Sequence, residues 1–397
     1  MRLAVLLIVT GVLALGDLVG VFTGALDHPA IEYPQRPVHD PVSELNKKLD
    51  QGMTLAFEPV HGYLPAVLEA LGIPVESQIA TFAKASFQQH LISPGNARAI
   101  YFNDAVAVGW VRGGKELEIA TEDARQGTIF YTINQRASGN PRATRRDDCL
   151  TCHESYDTLG VPGMLLRSVY AAPNGTVLLE LGSFNVDHRV AFAHRWGGWF
   201  VNGKTDAMGH LGNAAFKAEN EAESVEANFK GYLSPGSDIV ALMVFDHQMH
   251  MTNLLTRVGW ETRFALHEKT MTPEKLAGMA AEIVDYMLFI DEARIGSPVR
   301  GTLGFEEKFA AAGPRDRKGR SLRQFDLDRR MMRYPCSYMI YSAAFDGLPA
   351  EAKGAIYQRM WSVLSSQNPR LSIEDRRAIV EILRDTKKDL PAYFREL

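Results

Sequence analysis

Five residues, Cys149-Leu150-Thr151-Cys152-His153, constrain this chain more than any other stretch, because Cys-x-x-Cys-His is a pattern with a covalent consequence. Two thiols so spaced can add to the two vinyl groups of one haem, and the histidine that follows is then held under the iron as its proximal ligand. Whatever fold the chain adopts must leave room for that group. A structural zinc site is the rival reading, but it needs four ligands and no second pair at similar spacing follows. A thioredoxin-like redox motif would want a long helix after the second cysteine, and Gly160-Val161-Pro162-Gly163 breaks any such helix within two turns. The cofactor expected is therefore one covalent haem c on Cys149 and Cys152, with His153 on the iron.

The start of the chain agrees with this. Met1-Arg2 precedes an apolar run from Leu3 to Leu15, with small residues at Ala14 and Gly16, which is the layout of a secretory signal over residues 1–16. The alternative is an uncleaved anchor, since apolar residues resume from Leu18 to Leu26 and only Asp17 interrupts them. Covalent haem assembly takes place outside the bacterial cytosol, so a periplasmic or otherwise exported protein is expected, membrane-bound only if that segment is retained. Cys336 is left without an intrachain partner, and no disulfide framework is expected. With 397 residues, 46% of them apolar, there is material for a large core. The formal net charge of -4 is small for this length and implies neither a nucleic acid nor an anionic membrane surface as partner.

The pattern along the chain predicts an α+β fold: a central antiparallel sheet carrying the haem-attachment loop, with N-terminal helices and a helical C-terminal layer. Residues 17–41 read as an extended arm on the surface, and 42–96 as a helical segment with short amphipathic helices around Leu45 and Leu64. Period-two alternation from Ala97 through Ile133, punctuated by Asn103-Asp104 and Gly113-Gly114, makes 97–235 a β-rich segment that delivers the motif at a sheet edge. Within it, 165–171 and 176–181 read as a hairpin about Pro173-Asn174-Gly175, Trp196 to Val201 as a further strand, and 217–229 as a loose helix. Residues 236–397 form the helical layer. A strong helix starts at a Ser237 or Asp238 cap, and others are expected over 273–290, 325–345, 350–364 and 372–387.

The occupant of the sixth iron position decides the function. Met164 is nearest in sequence, but the turn before it more plausibly supplies a carbonyl that orients His153, leaving Met164 on the proximal side. Met243, His247, His250 and Leu254 share one helical stripe, which makes His247 and His250 candidate distal ligands, with Met251 next. Asp187-His188-Arg189, His194-Arg195-Trp196 and Gly209-His210-Leu211-Gly212-Asn213 could bind propionates, gate a pocket or simply brace the fold.

Through Arg98-Ala99-Ile100-Tyr101-Phe102-Asn103-Asp104, Val108-Gly109-Trp110-Val111-Arg112-Gly113, the haem motif itself, Arg195-Trp196-Gly197-Gly198-Trp199 and Asp246-His247-Gln248, the chain resembles a group of large secreted bacterial proteins with a single c-type haem motif, described as cytochrome c domain proteins. The resemblance carries Cys149, Cys152 and His153 over as haem residues and implies no particular activity. One-electron transfer with a periplasmic redox partner is the function expected. A haem enzyme acting on peroxide or a small inorganic substrate, and a haem-based ligand or redox sensor, are the alternatives, favoured by the length beyond what a carrier requires.

Overall fold

In this computed structural model the described residues are Phe22, 24–137, 139, 141–205, 209–366 and 370–395. The expected signal or anchor over residues 1–16 lies outside them. The chain is α+β, and its centre is a seven-stranded antiparallel sheet. In chain order the strands are β1 (Ile79–Thr81), β2 (Arg98–Phe102), β3 (Val106–Val111), β4 (Glu116–Asp123), β5 (Gly127–Asn134) and β6 (Ala143–Arg145). β7 (Arg167–Val169) and β8 (Ser183–Asn185) pair separately, and β9 (Trp199–Phe200) returns to add the last strand beside β1.

The meander from β2 to β5 is the stretch whose alternation was clearest. Asn103 closes its first turn by accepting the N–H groups of Ala105 and Val106 on its side chain. Because side chains alternate, the sheet has two differently covered faces. On one face Tyr131 donates its hydroxyl to Asp40, which caps α1 (Pro41–Asp50); α2 (Leu64–Ala70) follows. On the other, Phe102 packs on Phe245 of the central helix.

After the single turn α3 (Leu150–His153) and a long irregular region comes that helix, α4 (Ile239–His267), with 29 residues. Most of its residues are buried all round, as a helix in the middle of a large protein must be. α5 (Pro273–Met287), α6 (Phe305–Ala311), α7 (Ala343–Asp346) and α8 (Ala350–Ser365) pack around it, and α9 (Ile373–Thr386) packs on α8 to complete the C-terminal layer. No helix among the described residues is long and apolar enough to cross a membrane.

Four local expectations differ. Residues 217–229 are no helix: β11 (Ala214–Ala218) and β12 (Glu221–Ser224), which follow the short β10 (Lys204–Thr205), form a ribbon, since Lys217 to Glu226 offers no apolar stripe for a helix to bury. Between Phe325 and Tyr338 the chain is irregular, interrupted by Pro335, which cannot donate to a helix, and by Leu327 at φ 58°. The turn at 173–175 forms, but the strand that pairs with β7 is 183–185, and Leu179–Leu181 is a 3-10 turn. The N-terminal arm is not superficial: Ile31 and Tyr33 are buried, and the Tyr33 hydroxyl donates to the Thr128 carbonyl. One short strand, β13 (Val299–Arg300), pairs with β10.

Candidate functional site

The motif follows the edge strand β6 directly. A 3-10 turn, Asp147–Cys149, runs into α3, so residues 149 to 153 follow one helical path. Arg145 holds Asp147 at 2.8 Å and Arg146 holds Asp148 at 2.7 Å, while Leu150 is buried as the apolar anchor. Positions three and four apart share a face of a helical turn, which gathers Cys149, Cys152 and His153 on one side. Both thiols are free; Cys149 is half-buried and Cys152 exposed.

His153 is held through one nitrogen only. Its Nδ1 donates to the Gly163 carbonyl at 2.9 Å, and the Gly163 N–H returns a bond to the His153 carbonyl at 2.9 Å. Nδ1 carries the proton in that arrangement, which leaves the lone pair on Nε2, and Nε2 has no hydrogen-bond partner among the described residues. The turn that presents Gly163 is fixed from three sides. Leu159 and Gly160 take φ of 62° and 72° to reverse the chain, Thr158 donates its hydroxyl to the Val161 carbonyl, and the Thr128 N–H of β5 donates to Pro162. From α4, the Asn253 amide donates to the Met164 carbonyl at 2.7 Å. The Gly163 carbonyl is the orienting group that the Gly160 to Gly163 turn was expected to supply.

The His153 ring lies on Phe130 of β5, with centroids 4.8 Å apart. Burial holds its pKa below the ordinary value against the Gly163 bond, with Arg98 adding to the fall and Glu118 opposing it. The neutral imidazole is the form that binds a metal. Burial and the neighbouring Asp148 push the Cys149 thiol up to about 11. A redox-active dithiol needs a depressed pKa, so this pair is not arranged as a thioredoxin-type nucleophile. Cys336 is fully buried and pushed up to about 12, an inert core thiol.

The residues fit a covalently held haem on three observations. Two unbonded thiols flank an imidazole with a free Nε2, the other nitrogen is oriented by a backbone carbonyl, and a buried Arg98 Nε on the same side of the sheet has no partner. Among the described residues no cluster of three or more histidine, cysteine or acidic side chains is placed to hold a free metal ion.

The candidates for the sixth position are dispersed. His247 is fully buried, with Nδ1 2.8 Å from His188 Nδ1 and Nε2 2.7 Å from the Ser337 hydroxyl. With both nitrogens engaged, His247 holds α4 to the segments that carry His188 and Ser337. His250 has Nε2 3.2 Å from the Arg189 guanidinium and packs on Tyr286. It lines a cavity of about 920 Å³ with Met164, Met249, Asn253 and Arg257, and neither Cys149, Cys152 nor His153 borders that cavity. No hydrogen bond or ring contact joins His153 to His247 or His250. Met251 is buried inside the core.

The polar tracts make ion pairs and hydrogen bonds within the fold, and Asp187 also lines the cavity beside His250. Arg195 pairs with Asp246 at 3.4 Å, both buried, and the Trp196 indole donates to the same carboxylate. Arg189 pairs with Asp187 at 2.6 Å. Asn213 exchanges two hydrogen bonds with Val201, and His210 Nδ1 accepts the Gly212 N–H.

Phe130, Asn253 and Arg98 were not among the expected site residues. Asn253 stands three residues after His250 on the expected stripe, and Arg98 opens one of the segments that carry the resemblance. No family model, no curated protein and no solved structure matches this chain.

Proposed function

We propose that this is an exported c-type cytochrome in which Cys149 and Cys152 anchor one haem, His153 is its proximal ligand, and the function is one-electron transfer with a periplasmic redox partner. One observation carries the reading: His153 is tied through Nδ1 to Gly163 and free at Nε2, on the same helical turn as two unbonded thiols. A bound haem would supply an iron that cycles between two oxidation states. The protein's part is to orient and to dry the site. Gly163 fixes the tautomer and the plane of the imidazole, and Phe130 covers one face of it.

A sensor is the second reading, and the cavity favours it. Met164 and Asn253 line that space, and the Asn253 amide of α4 braces the Met164 carbonyl next to the Gly163 that grips His153, so an occupant there would bear on the proximal ligand.

Expression in a host able to mature such proteins tests the proposal. The expected product is coloured, carries the mass of one tetrapyrrole, and loses both properties when Cys149 and Cys152 are changed to serine. Colourless protein of unmodified mass overturns it. A low-spin ferrous spectrum indifferent to carbon monoxide supports the carrier, and a form that binds carbon monoxide readily supports the sensor.

A further inference from the structure

The register of the sheet places Gly109 of β3, Glu118 of β4, Thr132 of β5 and Thr144 of β6 side by side in one row. By alternation Arg98 and Phe130 point to the same face as that row. Phe130 is the residue on which the His153 ring lies, and Glu118 is its diagonal neighbour across the β4–β5 pair, about 7–8 Å away in such a sheet.

Arg98 lies over this row in an unusual way. Its Nη2 meets Glu118 Oε2 at 2.6 Å, with 19% and 15% of the two side chains exposed. The guanidinium crosses the backbone at Gly109, where a Cβ would stand 2.5 Å from Nη2 and 2.9 Å from Nε. Any other residue at 109 would evict it. The Nε is buried and has no partner. An ion pair that merely ties β2 to β4 explains Nη2, but it leaves a desolvated N–H donor of a cation unmet, which is a costly arrangement.

A carboxylate arriving beside Arg98 would accept from Nε and a terminal nitrogen together, the fork for which guanidinium is shaped. A tetrapyrrole of the haem type brings carboxylates of its own, the propionates, to the neighbourhood of His153. We infer that Arg98 is the residue that binds a propionate of the haem held at Cys149, Cys152 and His153, with Glu118 and the missing side chain at Gly109 fixing the guanidinium to receive it. The inference rests on the haem reading and adds to it a binding site on the face of the sheet that carries Phe130.

The experiment uses the full-length haem-loaded protein and follows the midpoint potential from acid to alkaline pH in the parent, Arg98→Leu, Arg98→Lys and Glu118→Gln. A propionate paired with Arg98 makes the potential depend on pH where that carboxyl titrates. Arg98→Leu is expected to lower the potential at neutral pH and move the bend in the profile to higher pH. Arg98→Lys, which keeps charge and loses the fork, is expected to move the bend by less. Glu118→Gln, which removes a negative charge from the same spot, is expected to raise the potential. A purely structural pair would change the unfolding midpoint and leave the profile alone. Profiles that superimpose in Arg98→Leu and Arg98→Lys, in proteins carrying full haem, overturn the inference. Where Arg98→Leu does not fold, Arg98→Lys decides alone. If the parent itself binds no haem, the underlying reading has failed and the inference falls with it, a result distinct from superimposed profiles in haem-loaded protein.

Discussion

Gly163 shows how little space separates the two segments that meet behind His153. A Cβ there would stand 2.3 Å from the Asn253 Oδ1, a buried side chain with nowhere to retreat. Gly163→Ala is expected to destabilise the protein by about 1–3 kcal/mol in urea unfolding. Asn253→Ala loses the bond to Met164, about 1 kcal/mol or somewhat more. Because the second change removes the obstacle met by the first, the double variant should cost clearly less than the sum; strict additivity would show that the two residues do not press on each other. Asp246 makes a second case. Burial raises its pKa to about 7 and lowers that of Arg195, so desolvation outweighs pairing in both partners. Asp246→Ala strands a buried guanidinium and an indole N–H, and a loss of about 3–5 kcal/mol is expected. The motif and its orienting turn were readable from sequence because both are local, a spacing of thiols and a glycine-proline break. Arg98 and Asn253 were not, since each acquires its meaning from a strand register or a helix that arrives much later in the chain.

Among the elements, α4 is the one whose start is best specified. Asp238 Oδ1 accepts the N–H groups of Val240 and Ala241, and Oδ2 accepts those of Thr302 and Leu303. One carboxylate thus caps a helix and pins a distant turn. Asp238→Ala should cost about 1–2 kcal/mol for the cap, and roughly 1 kcal/mol or more for the N–H groups left at 302 and 303. Asp238→Asn, which keeps one acceptor oxygen, should recover part of it, and equal losses in thermal unfolding would contradict this account. Caps and alternation are what made α4, α9 and the meander legible. The stretches that misled, 217–229 and 325–345, were judged on charge or apolar content without a stripe. A run of charges with no apolar face is free to pair as an exposed ribbon, and apolar residues such as Met331 and Met332 are buried in an irregular segment.

At the scale of the molecule, two sets of buried groups oppose one another as pH changes. Burial raises Glu122 to about 8, Asp246 to about 7 and Glu292 to about 7, from ordinary values of 4.5, 3.8 and 4.5. The folded state holds their protons longer, so their contribution is full below the unfolded pKa and is lost as pH rises through the folded one. Burial lowers His247 to about 3 and His250 to about 4, and depresses His188 strongly, all from 6.5. Their contribution is full above 6.5 and is lost as pH falls through the folded values. The two trends cancel between about 4.5 and 6.5. Urea unfolding should therefore give a plateau of stability there, with a fall on the acid side and another on the alkaline side up to about pH 8. Glu122→Gln should flatten the alkaline limb, and a limb of undiminished slope in that variant would rule Glu122 out as its source.

The grip on His153 also has a place in the order in which the protein is made. Its ring is fixed by a carbonyl ten positions along the chain, whereas the brace on the adjoining carbonyl comes from a side chain 89 positions beyond it. A chain made from its N-terminus presents the pentapeptide and its own turn complete before α4 has been added. The long helix arrives afterwards as a latch.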